Sequence, residues 1–283
     1  MFNNVEFYVI ICLITAVIFN QGYKLIAKRG TNDGALTILI QIISSIVCII
    51  LMPLFKFKFT TDIKVYIFLF IAIIFYTLND RLGTTARKGI YTSVYSILKQ
   101  LSTVFMIIMG ILFFKEEFIL NKIIGSILII LSNTLVFYKK DNFKFNKYLM
   151  LGIIANISLA IALFIDVNYS NEFNLAFYVL LTFLIPLILI FLFERIKIKD
   201  IILEYKNTNK FILYLTGITW TLMMISKLKS YQLGSVVAVA PLLSLNVILN
   251  IIVSYFLLNE KSNLIRKIIA GILIIIGVVL IKG

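Results

Sequence analysis

Lys99 is the residue whose position most strongly suggests chemistry, because it stands in the middle of the apolar segment 90–114. A lysine at the centre of a bilayer costs about 2.5 to 3.5 kcal/mol on insertion scales, so its presence needs a reason. Hydroxyl-bearing residues share its helical face at spacings of three, four and seven, namely Thr92, Tyr95, Ser96, Ser102 and Thr103. Such a stripe lines a hydrated cavity or a helix interface. Its ammonium group can pair with an anionic ligand or with an internal carboxylate.

Two further charged residues lie within or at the end of apolar segments. Lys24 follows Asn20 by one helical turn and is a candidate for binding a carboxylate or phosphate; snorkelling to the membrane surface is the alternative. Asp166 is the best candidate for a carboxylate that binds an amine or a proton, and a solvated helix end is the alternative. The remaining carboxylates lie in or beside predicted connections. A proton-coupled cycle would therefore use Asp166 or Glu6.

Uncharged side chains complete the candidate site. Trp220 lies in the middle of a segment rather than in an interfacial belt, so we expect it, with Tyr95, to supply apolar packing in a cavity wall or in the protein core. Ser244, Asn246 and Asn250 can hydrogen-bond to neighbouring helices or to a ligand, and both interpretations stay open.

The composition excludes several classes of protein. Apolar residues make up 61% of the chain and the mean hydropathy is +1.04, which is typical of a membrane protein. There is no histidine, so histidine-ligated metal sites and Ser-His-Asp or Cys-His pairs are excluded. Cys12 and Cys48 lie in apolar runs and are expected to be buried hydrophobes. We therefore expect no metal, no cofactor and no enzymatic activity, a membrane-embedded transferase being the rejected rival.

The positive charge indicates a lipid partner rather than a nucleic acid. The chain has 27 Lys and Arg against 13 Asp and Glu, and nearly all the basic residues stand between apolar segments. This distribution is typical of anchoring to anionic headgroups, so we expect a multi-pass protein of the cytoplasmic membrane. Counting the basic residues of alternate connections places both termini outside the cell.

The apolar segments are continuous and about 20 residues long, which favours helices over the alternating strands of a membrane barrel. We expect an all-α integral membrane protein with ten transmembrane helices. The predicted spans are 5–26, 35–55, 63–79, 90–114, 122–138, 148–168, 174–193, 211–226, 234–258 and 265–281.

An internal repeat divides the chain into residues 1–140 and 146–283. The segments KIIGSILII (122–130) and KIIAGILII (267–275) match at seven of nine positions. In each half a carboxylate, Glu116 or Glu260, directly follows the preceding long span. We expect these two residues to be structural, pairing with Lys122 in one half and with Lys261 or Arg266 in the other. Five spans per repeat force the second copy to be inverted, which is a recurring plan of secondary transporters with a site near the midplane.

The repeated block resembles the drug/metabolite transporter superfamily, in particular its ten-helix EamA-type branch. The similarity is strongest in YSILKQLSTVFMIIMGILFFKEE (95–117) and GSVVAVAPLLSLNVILNIIVSYFLLNEK (234–261), together with the two helices that follow them. The resemblance implies two inverted five-helix repeats around a central cavity. It also implies transport of a small metabolite by alternating access, and termini on the cytoplasmic side.

These observations favour a secondary transporter for an amino acid, an organic anion or a related compound. A flippase for a lipid-linked sugar, and a non-transporting membrane receptor or assembly protein, remain the alternatives. A dry, fully paired centre would favour the receptor. The sequence leaves the substrate, the coupling ion and the oligomeric state open, a homodimer included.

Overall fold

The structure is a computed structural model that describes residues 4–102, 105, 120–137, 146–234, 236–261 and 263–282. Two residues named above, Thr103 and Glu116, lie outside the described residues. In the described ranges the chain is helical, with no β-strand.

The helices follow the predicted order. They are α1 (Val5–Arg29), α2 (Asp33–Leu51), α3 (Ile63–Gly89), α4 (Thr92–Leu98), α5 (Leu120–Phe137), α6 (Lys147–Tyr169), α7 (Leu175–Phe193), α8 (Ile198–Asn207), α9 (Lys210–Leu233), α10 (Val236–Leu257) and α11 (Leu264–Lys282).

Short polar side chains start most of the long helices. A side-chain oxygen of the residue before the helix accepts a hydrogen bond from a backbone N–H of the first turn, which satisfies a group that has no partner within the helix. The capping residues are Asn4, Asn32, Asp62, Asn146, Asn174 and Asn209. The polar breaks between the apolar segments therefore define where the helices begin.

The structure differs from the predicted boundaries at four places. Helix α9 continues to Leu233 although its span was predicted to end at 226. Helix α3 continues to Gly89 although its span was predicted to end at 79, because its polar last turns pack inside the protein and not in solvent. The predicted fourth span is not a continuous helix: α4 ends at Leu98, and 99–100 form a turn before the chain is helical again at 101–102. The short helix α8, which is too polar to have been counted as a span, was not predicted.

The long helices pack in two groups. Helices α1, α2, α3, α6, α7 and α9 share one large apolar core, whereas α4, α5, α10 and α11 share a second core that includes Ile97, Ile129 and Ile274. The most extensive helix pairs are α3 with α6, α1 with α9, α5 with α11 and α2 with α7.

The surface of the described part is apolar and its interior holds many polar groups, which is the arrangement that a bilayer requires. Six of the described helices are long and apolar enough to cross a membrane, namely α1, α2, α3, α6, α7 and α9. Large apolar side chains such as Ile50 (68% exposed) and Phe193 (82% exposed) face outward. Gln41, Asn156 and Asp166 are 0% exposed. The chain is a multi-pass membrane protein.

Candidate functional site

A central cavity lies between the two groups of helices. It comprises about 580 Å³ of space, counted together with the space open to solvent, and is lined by aromatic, charged and amide side chains from α1, α3, α6, α7, α9 and the α4 region. The lining residues used below are Phe19, Tyr23, Tyr76, Asn79, Asp80, Arg87, Tyr95, Lys99, Asn156, Phe183, Trp220, Met223 and Lys227. Three residues predicted from the sequence, Lys99, Tyr95 and Trp220, are therefore brought together.

The aromatic wall of the central cavity is centred on Trp220, which is 6% exposed. Its indole stacks on Phe19 at 5.4 Å between ring centroids and contacts Phe183 at 4.7 Å. The edge of Tyr23 lies at 6.2 Å. Such offset and edge contacts are the favoured geometries of aromatic rings. The wall is consequently a fixed apolar surface that the flat part of a ligand can contact.

Arg87 contributes a cation that the sequence analysis missed. Its guanidinium carbon lies over three rings, 4.1 Å from the centroid of Tyr95, 4.6 Å from that of Tyr23 and 5.4 Å from that of Phe19. Contacts of a guanidinium with aromatic faces compensate part of the lost hydration of the charge. Arg87 was assigned to a connection because α3 was predicted to end too early.

Asp80 was missed for the same reason. It is 4% exposed and lines the central cavity. One oxygen accepts a hydrogen bond from Gln41 Nε2 and the other from Asn79 Nδ2, each at 2.9 Å. Within the described residues no cation lies within ion-pair distance of this carboxylate. Two neutral amides therefore hold Asp80 in place.

A second cavity of about 560 Å³ adjoins the first. Lys99, Met223 and Lys227 line both, so these side chains form the partition between them. The predicted site residue Ser244 lines the second cavity together with Cys12, Gln100, Tyr231 and Asn246. Lys99 stands at the turn where α4 ends, and such interrupted helices near the centre of a transporter are common at binding sites.

Asp166 is buried behind the cavity wall. It is 0% exposed and is not among the lining residues of either cavity. Its carboxylate accepts hydrogen bonds from Tyr76 and from Tyr178, the latter at 2.7 Å. Tyr76 lines the central cavity and thereby separates Asp166 from it.

Lys24 belongs to α1, and its ammonium group lies at the junction of α3 and α4. The residue lines neither cavity. Its ammonium group donates to the backbone oxygens of Arg87 at 2.5 Å, Lys88 at 3.2 Å and Ile90 at 2.5 Å. A cation in this position compensates the partial negative charge at the carboxyl end of α3. Asn20, one turn away, is 2% exposed and its amide has no hydrogen-bond partner among the described residues.

Glu260 caps the other side of the same junction. Its carboxylate accepts hydrogen bonds from the backbone N–H of Thr92 at 2.7 Å and from the N–H and hydroxyl of Ser93 at 3.1 and 2.7 Å. These hydrogen bonds join the segment that follows α10 to the start of α4. The sequence had instead predicted that Glu260 pairs with Lys261 or Arg266. The neighbouring ammonium is that of Lys267, which donates to the backbone oxygen of Glu260 at 3.2 Å.

The described residues contain no cluster of three or more His, Cys, Asp or Glu that could hold a metal ion. Cys12 and Cys48 are both buried and not disulfide-bonded. Cations, amides, aromatic rings, hydroxyl groups and the carboxylate of Asp80 are among the groups that the two cavities offer to a ligand.

Comparison with known proteins gives a family match for part of the chain and similarities to solved structures. The sequence model of the EamA-like transporter family matches residues 146–283. A solved structure, titled only "Crystal structure of protein", is similar with a TM-score of 0.52 and 15% sequence identity, over 97% of this chain and 96% of that one. At that identity the likeness concerns the fold alone. No curated protein sequence matches significantly.

Proposed function

We propose that the chain is a secondary transporter of the drug/metabolite transporter superfamily, because the model of the EamA-like transporter family matches residues 146–283. It moves a small metabolite that carries a negative group across the cytoplasmic membrane by alternating access. It does so as a ten-helix protein made of two inverted five-helix repeats, 1–140 and 146–283.

The observation that carries this proposal is a polar cavity in the middle of an apolar bundle, with cations on its wall. Arg87, Lys99 and Lys227 line the central cavity, and among the described residues none of the three belongs to an ion pair. A structural ion-pair network would be paired internally, because an unpaired buried charge is costly. A receptor with a dry, fully paired centre would not show this arrangement.

The packing of the helices supports the inverted repeats. If each span is exchanged with the one five places later, the pair α3 and α6 becomes the pair α9 and α1, and these are two of the most extensive contacts. The same exchange leaves the pair α2 and α7 and the pair α5 and α11 unchanged, because it only swaps the two helices of each pair. A two-fold axis that passes between the two helices of each pair has this effect. The exchange also turns every helix of one group into another helix of the same group.

Two connections follow the same rule. Glu204, in α8 between the seventh and eighth spans, accepts hydrogen bonds from the N–H groups of Thr31 and Asn32 in the first connection. Its counterpart contact is that of Asn174 in the connection after the sixth span, which donates to the backbone oxygens of Met52 and Phe55 after the second span. The first connection thus contacts the connection after the seventh span. Its equivalent in the second repeat, the connection after the sixth span, contacts the connection after the second span, as the exchange requires.

The cavity residues receive the following roles in the proposal. Lys99, with Lys227 and Arg87, attracts the negative group, while Tyr95 and Trp220 contact the apolar part of the metabolite. Ser244 contacts the metabolite on its way through the second cavity. Lys24 and Glu260 position the α3–α4 junction. Asp166, behind Tyr76, is the remaining candidate for a coupled proton.

The test begins with purified protein and a thermal-shift screen of amino acids, organic acids, nucleotide sugars and cationic drugs. A ligand that binds only the folded protein raises its stability by RT ln(1 + [L]/Kd), so weak ligands register at high concentration. Flux of each hit is then measured in proteoliposomes. We expect saturable uptake that Lys99→Ala weakens. Uptake no greater than in protein-free liposomes for every class would overturn the proposal, and unchanged affinity and turnover of Lys99→Ala would overturn the site.

A further inference from the structure

Lys99 and Lys227 form a paired cationic site that both cavities share. Lys99 follows the last turn of α4 and Lys227 belongs to α9, so helices of the two repeats bring them to one partition. The two ammonium groups are within electrostatic range of each other. Neither has a hydrogen-bonding partner among the described residues. Two like charges in a weakly polar interior repel each other, and a bound anion between the two ammonium groups relieves this repulsion.

The nearby carboxylates do not neutralise this pair. Asp80 accepts its hydrogen bonds from the amides of Gln41 and Asn79. Asp166 accepts its hydrogen bonds from the two phenols and, although within electrostatic range of Lys227, forms no ion pair with it. Both carboxylates thus accept their hydrogen bonds from neutral donors. Asp80 is within electrostatic range of Lys99, but among the described residues neither ammonium group forms an ion pair.

Arg87 is also within electrostatic range of Lys99, but its own charge is partly offset. Its guanidinium is packed over the rings of Tyr23 and Tyr95 and is within electrostatic range of Asp80 on the same helix. Positive and negative charge on that side of the central cavity offset each other. Among the described cations that line the central cavity, Lys99 and Lys227 are therefore the two that pack on no aromatic ring and form no ion pair.

We propose that Lys99 and Lys227 together bind the two negative charges of an organic dianion, such as a dicarboxylate, whose apolar part packs against Trp220. This inference rests on the proposed function and names the substrate class of that same site. A dianion compensates both ammonium groups at once. A monoanion leaves one of them uncompensated, and a zwitterion brings an additional cation to the pair. Lys227, which the sequence analysis did not identify, is thereby a specificity-determining residue.

The experiment measures the binding of three probes of similar size to purified protein in nanodiscs by calorimetry. The probes are phthalate with two carboxylates, benzoate with one, and phenylalanine as a zwitterion. We expect phthalate to bind at least about tenfold more tightly than the other two, because the second charge gains a second buried ionic contact. Lys99→Gln and Lys227→Gln should each remove most of this preference while changing benzoate affinity little.

Lys64→Gln is the matched control, since Lys64 is exposed at the start of α3 and lines neither cavity. It should bind all three probes like the wild type. Equal affinities of wild type for phthalate and benzoate would overturn the inference, as would an undiminished phthalate preference in Lys227→Gln. The thermal unfolding of each variant is recorded in parallel, so that loss of folding is not mistaken for loss of a contact.

Flux separates failure of this inference from failure of the proposed function. Saturable transport of a zwitterion or monoanion, without transport or binding of dianions, would support the proposed transporter function and contradict the proposed dianion substrate. Tight phthalate binding with no flux of any compound would support the proposed dianion site and contradict the proposed transporter function.

Discussion

The ammonium group of Lys24 is occupied by backbone carbonyls, whereas that of Lys99 faces two cavities. A lysine that caps a helix end contributes to stability, because its loss leaves buried carbonyl groups without a donor. A lysine on a cavity wall contributes to binding. The two residues can therefore be separated by the quantity that each mutation changes.

We predict that Lys24→Met lowers the free energy of unfolding by about 1 to 3 kcal/mol and leaves the KM of the transported compound unchanged. Lys99→Met should do the reverse, raising KM with a smaller change in thermal stability. Lys28→Met is the control, because Lys28 is exposed at the end of the same helix. A raised KM in Lys24→Met without loss of stability would assign Lys24 to the substrate instead.

Asp80 places a negative charge on the wall of a cavity that is proposed to hold an anion. We predict that Asp80→Asn increases the affinity for an anionic ligand about two- to tenfold, because the change removes a like charge and retains an oxygen that accepts one hydrogen bond. Calorimetry with phthalate measures the effect. Asp62→Asn is the matched control, since asparagine caps the start of α3 as well as aspartate does. Weaker binding by Asp80→Asn would indicate that Asp80 contacts a positive group of the ligand.

At the level of the helices, the order of the described apolar helices could be predicted from hydropathy alone, because a bilayer imposes length and apolarity on every helix that faces lipid. The end of α3 could not. Its last turns are polar, and polarity in a sequence does not distinguish a solvated connection from a helix buried against other protein. Asp80 and Arg87 were missed for this reason, and their burial is visible only once α6, α9 and α4 are packed around them.

Helix α4 starts under the carboxylate of Glu260, which comes from the other half of the chain. We predict that Glu260→Gln destabilises the protein by about 1 kcal/mol, because glutamine retains a single acceptor oxygen and loses the charge that favours a helix N-terminus. Thermal unfolding in detergent measures this effect. The repeat predicts a similar loss for Glu116→Gln. No change in Glu260→Gln would mean that the cap is not energetically significant.

Helices α2 and α9 approach closely at Gly217. A Cβ atom there would lie 2.6 Å from Ile43 Cγ2, and the Ser44 hydroxyl donates to the Gly217 backbone oxygen at 3.0 Å. We predict that Gly217→Ala costs about 1 to 3 kcal/mol through overpacking. Adding Ile43→Ala should restore part of the loss, because it removes the Cγ2 atom at 2.6 Å while the Cβ atom at 2.7 Å remains. Additive effects of the two changes in a double-mutant cycle would contradict this close approach.

For the whole molecule, the repeat remains a proposal, which the pairing of α3 with α6 and of α1 with α9 supports. The sequence predicted that Lys99, Tyr95 and Trp220 act together, since each stands out in an apolar segment. It could not predict Lys227 and Arg87 as their neighbours, because which helices surround a cavity depends on the exchange of partners and not on any local pattern.

The most direct test of alternating access is the accessibility of Met223, which lines both cavities and is 4% exposed. In a cysteine-free background made by Cys12→Ala and Cys48→Ala, Met223→Cys is treated with a membrane-impermeant thiol reagent added to either side of sealed vesicles. Ile129→Cys, buried in the second core, is the unreactive control. We predict that the reagent labels Met223→Cys from both sides and that the transported compound protects this cysteine from labelling. Labelling from neither side, or from one side only under all conditions, would contradict it.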